Sequence, residues 1–152
     1  HIMAGKIGLE EYRHDDEQLI NQLLELLQIN NVDYSIFFRA LSAFSDDNKS
    51  IRDQFVDREG FDSWAEKYSA RLTQQDQTDH QRRQSMNAVN PKYVLRNYMA
   101  QAAIEAAKQG DYSEVNLLLD ILQSPYKEHP EAEKYAGLPP DWADQLSVSC
   151  SS

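Results

Sequence analysis

Apolar side chains recur along most of this chain three or four residues apart, the spacing of helices, and no segment shows the alternation of a strand. Residues 16–28 place Ile20, Leu23, Leu24 and Leu27 on one stripe. Asp15, Asp16 and Glu17 fall near its first turn, where the helix dipole favours negative charge. After Asn30-Asn31 a second stripe runs through Tyr34, Phe37, Phe38, Leu41 and Phe44, with Asp33 at the N-cap position. A polar run over 45–50 reads as a loop, and a short helix is expected over 51–56. Phe61, Trp64, Tyr68 and Leu72 form an aromatic stripe, followed by a polar stretch and a weak helical pattern over 79–88.

Asn90-Pro91 reads as a cap followed by a first-turn proline, so a helix is predicted over 91–109, closed by Gly110. Asp111, with Glu114 three residues on, reads as a capping box for the next helix, whose stripe is Val115, Leu118, Leu119 and Leu122. So short a junction implies an antiparallel hairpin. Beyond Ser124-Pro125 the pattern dissolves, and Trp142 and Leu146 are expected to pin a last short turn. The expected fold class is all-α: an irregular bundle of about six or seven helices with an extended C-terminal tail.

At 152 residues the chain can bury a core without a disulfide framework. It carries 15 Lys+Arg against 25 Asp+Glu, a net charge of −10. An acidic surface repels phosphate backbones, so no nucleic-acid partner is expected. The charge is uneven, however. Residues 81–109 hold five basic side chains and one acidic one, an island between two acidic stretches and a candidate contact surface. No apolar run approaches the ~18 residues of a membrane span, so no membrane partner and a cytoplasmic location are expected. His1-Ile2-Met3 reads as a cloning remnant. Residues 1–7 are expected to be a disordered start, 8–146 a helical region of a larger protein, and 147–152 a flexible tail.

Little in the chain suggests chemistry. The 4 histidines do not pair at helical spacing, so no metal site is expected. The run from Asp46 to Ser50 is similar to a calcium loop, but Ile51 stands where that loop needs glycine. Glycine-rich phosphate loops and a nucleophile elbow are absent, so no catalytic residue and no cofactor-binding residue is assigned. Two features remain. Asn90, Lys92, Arg96 and Asn97 sit in the basic island at the expected helix N-terminus, as a docking surface or as a capped helix whose Arg96 pairs with a carboxylate. Cys150, alone on a polar tail, is either an exchangeable thiol or an unreactive one.

Together these features resemble the selenoprotein O family. The resemblance rests on the run from Asn90 to Asn97, on Gly110-Asp111-Tyr112, and on Leu138-Pro139-Pro140-Asp141-Trp142-Ala143. The ending Ser149-Cys150-Ser151-Ser152 and the spacing of Trp64, Tyr68, Arg71 and Leu72 add to it. It is most specific over 61–152. Members of this family are kinase-like in fold and transfer AMP from ATP to hydroxyls of protein side chains. The resemblance implies ATP and Mg²⁺ as cofactors, held by a glycine-rich loop, a Lys–Glu pair and Asp/Asn ligands that lie upstream in the family and are not found in these residues. It further implies a parent about three times longer, whose N-terminal kinase-like domain and protein substrates are the partners. The family carries a Cys or selenocysteine third from the end, where Cys150 stands. Ser147 occupies the position at which some relatives have a second thiol. The resemblance thus implies that Cys150 pairs with a thiol in the kinase-like part and couples activity to redox state.

Two functions are consistent with these residues. One is the C-terminal helical region of a protein adenylyltransferase, inactive alone, with a scaffolding and redox-regulatory role. The other is a non-enzymatic helical interaction module, which would stack a second hairpin in register on the one at 93–122.

Overall fold

The computed structural model describes residues 1–145, so Leu146 and Cys150 lie outside the described residues. The chain divides into two compact units, His1–Asn90 and Pro91–Ser152. Among the described residues there are eight α-helices, two 3-10 helices and no strand.

The first unit holds α1 (Ile2–Lys6), α2 (Asp16–Ile29), α3 (Tyr34–Leu41), α4 (Lys49–Arg52), α5 (Arg58–Leu72) and α6 (Asp79–Val89). α1 packs on α2 and α6, α2 packs on α5, and α4 touches both α3 and α5. The start expected to be disordered is therefore helical and packed: Ala4 is 3% exposed and Ile7 fully buried. Five residues of mixed polarity carry no stripe from which this could be read. Gly8 turns the chain out of α1 at φ +80°, and a Cβ there would stand 2.7 Å from Arg82 Cγ and 2.8 Å from Met86 Sδ. Only glycine allows both the turn and that approach.

Three later helices, α3, α5 and α6, start where the sequence supplies a side-chain acceptor. Asp33 accepts from Ile36 N–H at 3.0 Å, and Asp57 accepts from Gly60 N–H at 3.0 Å. Thr78 and Gln81 form a full capping box at α6. The helix expected over 51–56 is shorter and earlier, ending at Arg52. Phe55 then packs inward, while Val56 points to solvent.

The aromatic stripe of α5 makes the centre of this unit. Phe61, Trp64 and Tyr68 are buried; Phe61 stacks on Phe55, and Trp64 on Tyr68, each at 4.8 Å between ring centroids. Trp64 Nε1 donates to the carbonyl of Leu19 at 2.9 Å, and the Tyr68 hydroxyl donates to that of Ile7 at 2.5 Å. Burial pushes the Tyr68 phenol well above its ordinary value. One turn on, Arg71 Nε and Nη2 grip the Asp16 carboxylate at 2.6 and 3.1 Å, and Nη2 also reaches the Glu11 carbonyl at 2.9 Å.

The second unit has α7 (Asn97–Lys108) and α8 (Ser113–Gln123) as an antiparallel hairpin, turned by Gly110 at φ +86°. Two 3-10 helices follow, over Pro130–Tyr135 and Asp141–Gln145. Its core gathers Tyr93, Tyr98, Met99, Leu118, Ile121 and Tyr135. Trp142 meets Tyr98 edge-on at 5.7 Å, in keeping with a pinned final turn. The capping box expected at Asp111 and Glu114 does not form. Asp111 instead accepts from the N–H and hydroxyl of Ser113, and Glu114 turns to Lys134 and the Tyr135 hydroxyl. Two partners twenty residues away outbid a cap that would also close locally.

Arg71→Ala strands the Asp16 carboxylate in the interior. The expected loss is about 3–5 kcal/mol of stability in chemical denaturation. Burial alone would raise the Asp16 pKa, but the hydrogen bonds and charge of Arg71 and the Arg13 N–H hold it below 3.8. This contribution is complete above the ordinary carboxylate value and is lost as pH falls through the lower, folded one. Arg71→Ala should therefore also flatten the acid limb of the stability profile; an unchanged limb would show that the pair does not set it.

Candidate functional site

The segment singled out for docking is not the start of a helix. A residue before proline is driven from the helical region, and Asn90 adopts φ −112°, ψ 107° and ends α6. The N–H groups of Lys92 and Tyr93 both donate to the Pro125 carbonyl, at 2.9 and 3.3 Å, so they are not available to start a helical turn. The Tyr93 ring is buried, and its hydroxyl donates to the His129 carbonyl at 3.1 Å and accepts from the His129 N–H at 3.2 Å. Residues 91–96 are thereby laced in non-helical form onto the loop around Pro125 and His129. α7 begins six residues later than predicted, at Asn97, with Arg96 at its N-cap.

The four candidates divide between the two units. Asn90 belongs to the first unit and is 1% exposed. Its Nδ2 donates to the Lys6 carbonyl at 2.9 Å, its Oδ1 lies 3.5 Å from Lys6 Nζ, and its own carbonyl accepts from Arg39 Nη1 at 2.9 Å. It ties the end of α6 to α1 and α3 and is out of reach of a partner. Lys92 belongs to the second unit and pairs with both Glu128 and Glu133. Burial works against its charge, but the two carboxylates outweigh that and hold its pKa above the ordinary value. Arg96 and Asn97 are half-buried and each already has a partner.

Several cations of the basic island are engaged inside their own units. Arg82 is buried, bound to Asp79 at 2.7 Å and to the Phe44 carbonyl at 2.8 Å. Lys108 lies 3.5 Å from Glu105, and Lys92 is clamped as described. The island also spans the boundary between the units.

The sequence reading missed a groove of about 560 Å³ in the first unit, lined by Arg13, Asp16, Gln22, Lys67, Arg71 and Gln74 among others. Most of its polar groups satisfy one another: Arg13 donates to Gln74 at 2.8 Å and Lys67 to Gln22 at 3.3 Å. Arg71 Nη1 is the exception, buried without a hydrogen-bond partner among the described residues. The advance signal was the family-like spacing of Trp64, Tyr68, Arg71 and Leu72. Cys150, the redox candidate, lies outside the described residues.

These residues do not fit a Mg–ATP site. The glycines are scattered over α1, its exit turn, α5, the α7 exit and residue 137, and none forms a phosphate-cradling loop. The Lys92 and Lys134 ion pairs sit beside no such loop. Among the described residues no group of three or more His, Cys, Asp or Glu stands together as metal ligands.

Asn90→Ala removes the donor to Lys6 from the interior. The expected cost is about 1–3 kcal/mol, read as a lower melting temperature. Unchanged melting would show that these hydrogen bonds do not hold α6 to α1.

A family model described as Protein adenylyltransferase SelO matches residues 1–123. That includes the opening sixty residues, where the sequence resemblance is least specific. A protein named Protein nucleotidyltransferase YdiU from Pseudomonas fluorescens (strain Pf0-1) is 49% identical over 154 residues, which cover 99% of this chain and 32% of that protein. Proteins of the same name from Burkholderia ambifaria (strain MC40-6) and Herminiimonas arsenicoxydans are each 48% identical over 99% of this chain, covering 30% and 31% of their own lengths. The chain thus spans about 30% of the length of the curated relatives it matches.

Proposed function

The chain belongs to the protein adenylyltransferase SelO family, and from that premise we propose that it is the C-terminal helical region of a longer enzyme that transfers AMP from ATP to Ser, Thr or Tyr hydroxyls of proteins. The observation that carries this reading is near-50% identity along 99% of the chain to proteins named nucleotidyltransferases, of which it spans under a third. ATP and Mg²⁺ belong, in this reading, to the part of the enzyme outside these residues, since the residues here offer neither a phosphate loop nor a ligand set. The role left to this region is to pack on the kinase-like part and to carry the Cys150 tail. Cys150 exchanges with an external disulfide to become paired with a thiol of that part, releasing two external thiols, and activity changes when a dithiol reverses the exchange. No helix of the described residues is long and apolar enough to cross a membrane, and we place the enzyme in the cytoplasm.

Incubation of the 152-residue chain with labelled ATP, Mg²⁺ and a protein acceptor should give no labelled acceptor; robust AMP transfer would overturn the assignment of catalysis to the other part. In the full-length enzyme, Cys150→Ser should abolish the difference in activity between reduced and oxidised samples. A redox response that survives the substitution would remove Cys150 from the switch.

The interaction-module reading requires stacked hairpins. α8 is followed by two 3-10 helices, and among the described residues of the second unit no further α-hairpin accompanies α7 and α8. No observation favours that reading over the enzyme.

A further inference from the structure

The groove of about 560 Å³ beside α2 and α5 has a floor of buried groups, Asp16, Leu19 and Arg71, and walls of exposed ones. Its size lies in the range of small-molecule sites. Arg71 uses three of the five N–H groups of its guanidinium: those of Nε and Nη2 go to the Asp16 carboxylate and the Glu11 carbonyl. The two on Nη1 have no partner among the described residues, although Arg71 is only 8% exposed. Asp16 cannot serve them. Its two oxygens already accept from Arg71 and from the Arg13 N–H, and the planar fork that grips it turns Nη1 the other way. Buried donors are ordinarily paired, so two spare ones on a cation ask for an acceptor.

The other two cations of the groove are also short of acids. Arg13 donates to the Gln74 amide oxygen at 2.8 Å and Lys67 to that of Gln22 at 3.3 Å, both neutral acceptors. A chain of net charge −10 thus places three cations along one groove against two carboxylates, Asp15 and Asp16, and Arg71 consumes the second. Arg13, Arg71 and Gln74 also line a neighbouring groove of about 400 Å³, where Glu10, Glu11 and Asp76 make the wall acidic. An anion is therefore favoured on the α2–α5 side alone.

We propose that the α2–α5 groove binds a small phosphate-bearing molecule, with its phosphate held by Arg13, Lys67 and the Nη1 edge of Arg71. Three cationic heads suit the three free oxygens of a phosphate monoester better than the two of a carboxylate. Gln22 and Leu19 give the rest of the groove one polar and one apolar contact for the body of the ester. Nη1 is closed from solvent, so the phosphate reaches it as the exposed Arg13–Gln74 hydrogen bond opens, which also frees Arg13 for the anion. The site stands whether or not the full-length protein transfers AMP.

The test is titration of inorganic phosphate into the isotope-labelled 152-residue chain and into the full-length enzyme, at an ionic strength held constant with chloride. Binding is followed by calorimetry and by the side-chain N–H resonances of Arg71. The expected result is saturable binding in both proteins, with the Arg71 resonances moving at the same midpoint as the heat. Arg13→Ala combined with Lys67→Ala should weaken it at least tenfold, and Lys108→Ala, on α7, should leave it unchanged. Arg13 and Lys67 are exposed, so the double variant should melt as the unsubstituted chain does; if it melts lower, Lys67→Gln alone carries the comparison. Absence of saturation would overturn the proposal, as would saturation that leaves the Arg71 resonances in place. Equal weakening by Lys108→Ala would mark a general response to charge and overturn it too. Binding in the 152-residue chain that is lost in the full-length enzyme would show an acidic side chain of the longer protein in the groove, and no free phosphate ester.

Discussion

The first unit depends on one face of α5 donating to backbone carbonyls of the segment between α1 and α2 and of α2 itself. The segment between α1 and α2 is irregular, so its carbonyls need other donors if they are to be buried. Tyr68 supplies one to Ile7, Arg71 supplies one to Glu11, and Trp64 caps the line at Leu19 on α2. The three donors lie at successive turns of one stripe, and each has an apolar or stacked body that fills the core beneath its polar tip. The same side chains thus fill the core beneath the segment and bond its backbone, while residues 10–15 themselves stay exposed. Asp16 completes the arrangement by neutralising Arg71, which could not otherwise be buried at that depth.

This explains which parts of the fold were legible in the sequence. α2, α3, α5 and α8 lie where their apolar stripes place them, while α7 follows its stripe but starts six residues later than its expected cap placed it. α1 has neither, because Ala4 and Ile7 are held by residues sixty or more positions away: Tyr68 takes the Ile7 carbonyl, and Arg82 and Met86 close over Gly8. The capping box assigned to Asp111 and Glu114 failed for the same reason. A local pattern specifies a local bond only when no distant partner competes, and Lys134 with Tyr135 competes for Glu114. Burial and the Glu114 carboxylate together drive the Tyr135 phenol well above its ordinary value, so it remains a donor.

Charge along the sequence proved a poor guide to charge in space. Lys92, from the basic island, meets Glu128 and Glu133 of the acidic stretch that follows it. Arg82 is drawn inward by a carbonyl and by the aspartate one turn before it. A long side chain with a fixed charge finds its acid wherever the fold brings one, and a sum over consecutive residues is blind to that. The groove at Arg71 shows the converse. It lies in an acidic stretch, yet cations contribute to its wall because α2 and α5 bring Lys67 and Arg71 up beside Arg13.

The dipeptide Asn90-Pro91 joins these points. A proline after an asparagine is compatible with a helix beginning, and equally with a helix that has just been stopped, since the residue before proline is barred from continuing it. What decides between them is the fate of the next two N–H groups. At a helix start they would be left over for a cap or an anion; here the Pro125 carbonyl takes both. Asn90 then turns its side chain back to Lys6, and Tyr93 sends its ring into the other core. The run from Asn90 to Asn97 that carried the family resemblance is therefore where one core ends and the next begins, and each of its ends is specified by what it must satisfy in its own unit. A motif of that kind is recognisable in sequence without revealing a surface, because its specificity is directed inward.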